Sequence, residues 1–245
     1  MAEIIIYDEN EWLKTAVRLF VQQAAANIAD RGAFSVALAG GSTPASFYAA
    51  LARPENQKRV DWEKVHLFWG DERHVPQDDP QSNFQMVKKN LLRAVPIPDE
   101  NVHRVHTEMD VRFAAFSYEE ELRRFFPGDW PRFDLVLLGM GEDGHTASLF
   151  PHTAALNEES RWFVANLAPE KKTWRLTLTM NAINAARLVI VFVRGASKAD
   201  RLREVFTATK DPWEMPIQGV EPVDGTMIWL LDHEAGSKLP KEFVS

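Results

Sequence analysis

Two hydrophobic periods alternate along this chain: short, nearly continuous aliphatic runs, and longer stretches with apolar positions three and four residues apart. Glu3–Tyr7 reads as a first strand, and Glu9–Ala29 then places Trp12, Leu13, Ala16, Val17, Phe20, Val21 and Ala24 at helical spacing. The pattern continues with a strand at Phe34–Ala39, a helix at Thr43–Leu51 carrying Pro44 in its first turn, and a strand at Val65–Trp69. Helices are expected at Asn83–Leu92 and Val111–Phe126, and a fourth strand at Phe133–Leu138. Beyond Pro151 the pattern loosens. Trp162–Asn166 and Arg175–Thr179 each alternate, and the polar Ala168-Pro-Glu-Lys-Lys-Thr173 between them suggests a small antiparallel excursion around 160–180. A β-branched strand follows at Arg187–Val193, then a helix at Ser197–Phe206 after Gly195, and a last strand at Thr226–Leu231 that is expected to close the sheet.

Strands that alternate with helices in this way predict an α/β, Rossmann-like fold, a mainly parallel sheet flanked by helices. There is no internal repeat and no low-complexity linker. Pro96-Ile-Pro98 and Pro127-Gly128 punctuate loops rather than separate units, so residues 1–245 are read as one domain.

Composition narrows the function classes. The 245 residues are 45% hydrophobic and 26% charged, as in a soluble globular protein. With 28 Lys+Arg against 35 Asp+Glu, the net charge of -7 argues against a nucleic-acid partner but leaves room for a phosphorylated small molecule. The absence of cysteine excludes disulfides, thiolate metal sites and cysteine nucleophiles. No apolar run approaches the roughly 20 residues that span a bilayer, and the opening Met-Ala-Glu-Ile-Ile-Ile-Tyr-Asp lacks a basic n-region. No membrane partner is expected, and a cytoplasmic location is.

Chemistry concentrates where strands end. Gly139-Met-Gly141-Glu-Asp143-Gly144-His145-Thr-Ala-Ser148-Leu-Phe-Pro151 follows an apolar strand with three glycines in six positions. Glycines there let the backbone turn tightly and approach a ligand. A histidine with an aspartate two residues before it can be held in one tautomer and used as a base. Gly40-Gly41-Ser42-Thr43-Pro44 is a second strand-to-helix turn, whose free N–H groups and helix dipole favour an anion. In Gly70-Asp71-Glu72-Arg73-His74, Arg73 is suited to grip a carbonyl oxygen or a phosphate, while Asp71 and Glu72 can orient a base, bind sugar hydroxyls or pair with Arg73. Arg175 and Lys198 are further cations able to neutralise a phosphate held at Gly41–Thr43. Asp143 and His145 supply only two metal ligands, so no metal site is expected. His74 and His152 are read as bystanders, and His66, His103, His106 and His233 show no pattern.

Taken in order, Ala39-Gly-Gly-Ser-Thr-Pro44, Trp69-Gly-Asp-Glu-Arg73, Ser82-Asn83, the Gly139–Pro151 loop, Arg175-x-Thr-x-Thr179, Asn181-x-Ile-Asn184, Gly195-x-x-Lys-Ala199 and Pro216-Ile-Gln-Gly219 resemble the 6-phosphogluconolactonase family. The resemblance spans nearly the whole chain. It implies hydrolysis of 6-phospho-D-glucono-1,5-lactone, a phosphorylated sugar lactone, without metal or cofactor. On that reading His145 is the base, oriented by Asp143, Asp71 or Glu72, and Arg73 with loop amides polarises the carbonyl. Gly41, Ser42, Thr43, Arg175 and Lys198 hold the phosphate, with Gly40, Glu72, Gly141 and Gly144 as further substrate contacts. Glucosamine-6-phosphate deaminases share the fold implied, but carry Asp-Glu-Tyr where this chain has Asp71-Glu72-Arg73, and Phe-Asn-Glu-Pro where it has Ser148-Leu149-Phe150-Pro151. The alternatives are such a deaminase or a non-catalytic sugar-phosphate-binding protein. Monomer and dimer both remain open.

Overall fold

A computed structural model describes residues 2–169 and 172–243. The chain runs β1 (Glu3–Tyr7), α1 (Glu9–Arg31), β2 (Phe34–Leu38), α2 (Ser42–Leu51), α3 (Pro54–Gln57), β3 (Val65–Trp69), β4 (Asp71–Arg73), α4 (Asn83–Val87), β5 (Val102–His103) and α5 (Val111–Phe125). It continues through β6 (Leu135–Gly139), β7 (Phe163–Ala168), β8 (Thr173–Leu178), α6 (Met180–Asn184), β9 (Leu188–Val193), α7 (Ala199–Thr207), β10 (Thr226–Asp232) and α8 (His233–Gly236). Strands such as β2 and β9, buried at every position, need cover on both faces. They lie within a seven-stranded sheet ordered β1-β10-β9-β6-β2-β3-β5, parallel at every pairing. The strand sequence moves outward from β2 through β3 to β5, then returns to β6 on the other side of β2. That reversal opens a crevice between β2 and β6 at their carboxyl ends.

Helix α1 shows how local sequence sets the cover. Asp8 caps it by accepting from the Glu11 N–H, and Gly32 ends it at φ +81° with its N–H on Ile28 O. Its inward residues reach the sheet: Trp12 Nε1 donates to Leu230 O at 2.9 Å, and Phe20 meets Phe34 and Phe47 edge-on. Among the described residues no helix is long and apolar enough to cross a membrane.

Several expectations shift. β10 does not close the sheet at an edge; it lies between β1 and β9. The excursion around 160–180 is an antiparallel β7–β8 pair, but it recruits β4 into a separate three-stranded sheet ordered β4-β8-β7. Three consecutive charged residues carry no strand signal, so β4 exists because β8 pairs with it. The hairpin tip at Glu170 and Lys171 falls outside the described residues. The helix expected over Asn83–Leu92 is α-helical only to Val87 and becomes a π turn at Lys88–Leu92. There Arg93 N reaches back to Lys88 O, and the Asn90 amide bonds Met86 O.

Two buried tyrosines finish adjacent strands. Beyond β2, the Tyr48 hydroxyl from α2 accepts from Ala39 N at 3.1 Å and donates to Ala39 O at 2.9 Å. At the end of β3, Tyr118 from α5 accepts from Trp69 N at 2.7 Å and lies 3.2 Å from His103 O. Burial pushes both phenols up, which keeps them protonated and able to donate. Replacing Tyr118 with Phe leaves the Trp69 N–H buried without an acceptor. The expected cost is about 1–3 kcal/mol, read as a lower urea midpoint at unchanged m-value.

Candidate active site

Four loops leave the carboxyl ends of β2, β3, β6 and β9 and converge on the crevice. The resulting cleft, of about 220 Å³, is lined by Gly40, Gly41, Asp71, Arg73, Gly141, His145 and Lys198, together with Gly70, Met140, Ala147 and the last residues of β2 and β6. Seven of the thirteen candidate residues thus meet in one place. The others flank it or face elsewhere, for reasons that the backbone makes plain.

The loop after β6 is folded around its histidine. Gly141 N donates to His145 O at 2.8 Å, Gly144 N to Gly141 O at 3.2 Å, and Thr146 Oγ1 to Gly139 O at 2.9 Å. Asp143 Oδ1 accepts from the His145 backbone N–H at 3.0 Å and lies 2.5 Å from its Nδ1. Asp143 is therefore the carboxylate that orients the ring, a point the sequence left open among three acids. Burial works to raise the Asp143 carboxyl, but the His145 hydrogen bond and charge outweigh it and leave the pKa lowered. The neutral tautomer that donates Nδ1–H to Asp143 carries its lone pair on Nε2. A Cβ on Gly141 would come within 2.1 Å of His145 Nδ1 and 2.5 Å of Asp143 Oδ1, so only glycine leaves space for the pair. Ala147, at φ +47°, completes the turn in a conformation few alanines adopt.

The loop after β3 enters β4, whose side chains alternate faces. Asp71 and Arg73 share the face that lines the cleft, whereas Glu72, expected among the substrate contacts, points the other way. Its carboxylate is buried and takes three backbone N–H groups, from Arg73, Asn83 and Phe84. Burial pushes its pKa up to about 7 from 4.5, with those amides limiting the rise. The folded chain thus binds this proton more tightly than the unfolded one, so its contribution to stability is present below 4.5 and lost as pH rises to about 7. Arg73 donates from Nη1 to Gln81 O at 2.6 Å. Asp71 is clamped from two sides: Ser148 Oγ donates to Oδ2 at 2.7 Å, and Asn83 Nδ2 lies 3.2 Å from Oδ1.

Arg175 sits directly opposite Arg73 across β4 and β8, on the same face, and is buried. Burial, and then the charge of Arg73, lower its pKa. It flanks the cleft rather than lining it. The loop after β2 presents Gly41 as the cap of α2 at φ +100°, with no side chain satisfying the first N–H groups of that helix. Ser42 and Thr43 are the first residues of α2, just past the lining. Gly40 packs on Asn83, where a Cβ would meet Oδ1 at 2.0 Å. The loop after β9 brings Lys198, with Nζ 3.9 Å from Glu142 Oε1. Asp232 fixes that loop by accepting from Gly195 N at 3.0 Å. Gly144, also expected to touch substrate, instead packs against Met215.

Sequence reasoning missed the supports. Ser148, Asn83 and Asn166, which donates to Ser148 O at 2.9 Å, are buried polar residues that hold Asp71 and the glycine loop. It also missed a histidine pair remote from the cleft, His66 Nδ1 lying 3.1 Å from His103 Nε2 and His103 Nδ1 2.7 Å from Glu121. His152 pairs with Glu214 and His74 with Met109 O, both away from the cleft lining. No group of three or more His, Asp or Glu arranged to hold a metal occurs among the described residues.

The family model of glucosamine-6-phosphate isomerases/6-phosphogluconolactonase matches residues 7–229. A 6-phosphogluconolactonase of Synechocystis sp. is 46% identical over 216 residues, covering 86% of this chain and 87% of that protein. One from Nostoc sp. is 40% identical over 239 residues, covering 96% and 97%. The solved 6-phosphogluconolactonase of Trypanosoma brucei superposes with a TM-score of 0.87 at 30% identity, covering 98% of this chain and 99% of that one. Matched over this length in sequence and in structure, the chain belongs to the glucosamine-6-phosphate isomerase/6-phosphogluconolactonase family.

Proposed function

We propose that this chain hydrolyses 6-phospho-D-glucono-1,5-lactone to 6-phospho-D-gluconate in the oxidative pentose phosphate pathway, with His145 as the base that activates water. The observation that carries the mechanism is the Asp143–His145 pair, set at 2.5 Å in the cleft that Arg73 also lines. Asp143 holds Nδ1–H, so Nε2 takes the proton as the water oxygen bonds to C1. Arg73 and neighbouring loop amides stabilise the oxyanion that forms there. Collapse of the tetrahedral intermediate breaks the bond from C1 to the ring oxygen, and His145 returns the proton to that oxygen. The phosphate is held at the open start of α2 by Gly41, Ser42 and Thr43, with Lys198 and Arg175 as counter-charges, which positions the ester for attack.

Phe150 supports hydrolysis over deamination. It occupies the position where the deaminases carry glutamate, and its ring centroid lies 4.7 Å from that of His145, an apolar neighbour that neither gives nor takes a proton. A water-soluble, doubly charged substrate fits a cytoplasmic setting.

In a coupled assay, with the lactone generated by glucose-6-phosphate dehydrogenase, the protein accelerates 6-phosphogluconate formation above the spontaneous rate. Replacing His145 with Ala lowers kcat by roughly two to four decades at nearly constant KM; near-normal turnover removes it as the base. Asp143→Asn, which can stabilise the wrong tautomer, lowers kcat by about 10²-fold or more. Replacing Lys198 or Arg175 with Ala raises KM for the phosphorylated lactone by about tenfold or more while leaving turnover of unphosphorylated gluconolactone unchanged. Equal losses on both substrates place the phosphate elsewhere.

A further inference from the structure

Glu72 is a carboxylate with no direct place in the chemistry, yet it is among the most fully engaged side chains near the cleft. It lies on the face of β4 opposite Asp71 and Arg73 and is 1% exposed. Oε1 accepts from Arg73 N and Asn83 N, both at 2.7 Å. Oε2 accepts from Phe84 N at 2.7 Å and from Ser82 Oγ at 3.2 Å. Four donors converge on two oxygens, from two chain segments that no ladder joins. One segment is β4. The other is the start of α4, where Ser82 also caps the helix by accepting from Gln85 N.

Both segments bear on the cleft. Arg73 is gripped twice, by its own N–H on Glu72 and by its guanidinium on Gln81 O, the residue before Ser82. Asn83 donates to Asp71 O at 2.9 Å and fills the space beside Gly40. A shift of residues 81–84 relative to β4 therefore moves Arg73, Asp71 and the Gly40 turn together.

We propose that Glu72 is a positioning residue, whose carboxylate staples β4 to the start of α4 and so fixes the direction of Arg73 across the cleft. The inference rests on the polarising role assigned to Arg73. A glutamine offers one acceptor oxygen where four donors converge, and its NH2 opposes the N–H groups it faces. The charged and titratable groups acting here are Asp71 and Arg73 on the same strand, Arg175 on β8, and Tyr118 from α5. Burial, and then the Asp71 charge, act to raise the Glu72 carboxyl, while the amides of Asn83, Phe84 and Arg73 favour its ionised form.

The test is a double-mutant cycle on the intact enzyme, measuring kcat and KM for the phosphorylated lactone in Glu72→Gln, Arg73→Ala and the double variant. Glu72→Gln is expected to lower kcat by about ten- to a hundredfold, with KM changed less than threefold. In the Arg73→Ala background the same substitution is expected to lower kcat less than threefold further, because its target is gone. Ser82→Ala, which keeps the carboxylate and removes one donor, takes the place of Glu72→Gln in the cycle should that variant not fold. Its expected loss is about three- to tenfold in the wild-type background and less than twofold beside Arg73→Ala. Arg73→Ala with unchanged kcat overturns the role given to Arg73. Impaired Arg73→Ala with a full, multiplicative loss in the double variant overturns the staple alone, since a general structural defect adds to any other.

Discussion

Where a parallel sheet ends, its backbone N–H and C=O groups lose their ladder partners, and in a crevice they cannot all turn to water. The architecture of this protein follows from how that constraint is met at β2, β3 and β6. Tyr48 satisfies both backbone groups of Ala39, Tyr118 takes the N–H of Trp69, and Thr146 donates to Gly139 O. Gly70 N closes back on Leu38 O at 2.9 Å, tying the second strand end to the first. Each loop therefore leaves its strand from a fixed point. The side chains that these loops carry inherit that precision.

Two kinds of support then divide the cleft. The histidine and its aspartate are held within one loop, by bonds from Gly141 to His145 and from His145 to Asp143, and Ser148 of that loop is held in turn by Asn166 of β7. The guanidinium side is assembled from afar, through β4–β8 pairing, the Glu72 carboxylate and the bond from Arg73 to Gln81 O. Asp71 joins the halves, since Ser148 from the histidine loop and Asn83 from α4 both donate to it. It is a buried polar junction in which each carboxylate oxygen has a partner, as a low-dielectric site requires.

The alternation of apolar runs and helical periods made six of the seven main-sheet strands legible, the two-residue β5 being too short to carry a period, and glycines at strand ends marked the four loops. What escaped was decided by tertiary contacts. Asp71-Glu72-Arg73 carries no β-propensity, so neither the third strand of the small sheet nor the inward turn of Glu72 could be read from composition. Had that strand been seen, period-two alternation would have separated Glu72 from its neighbours. The position of β10 between β1 and β9 depends on crossover order, which local pattern does not encode. The pairing of His145 with Asp143 rather than Asp71 or Glu72 needed the loop path that Gly141 permits. Ser148 and Asn166 gave no signal, because a buried serine or asparagine looks in sequence like any surface one.

The compactness of the Asp143–His145 unit has a consequence for how such a molecule fails. Its two partners are separated by one residue of a loop anchored in the main sheet, while Arg73 arrives on a strand three residues long in a separate sheet. Parting β4 from β8 would displace the guanidinium, whereas the bonds between Asp143 and His145 lie within one loop. On the roles proposed for these residues, loss of that small pairing alone would cost turnover while the main sheet stayed folded. On that reading, working life and folded life are set by different sheets.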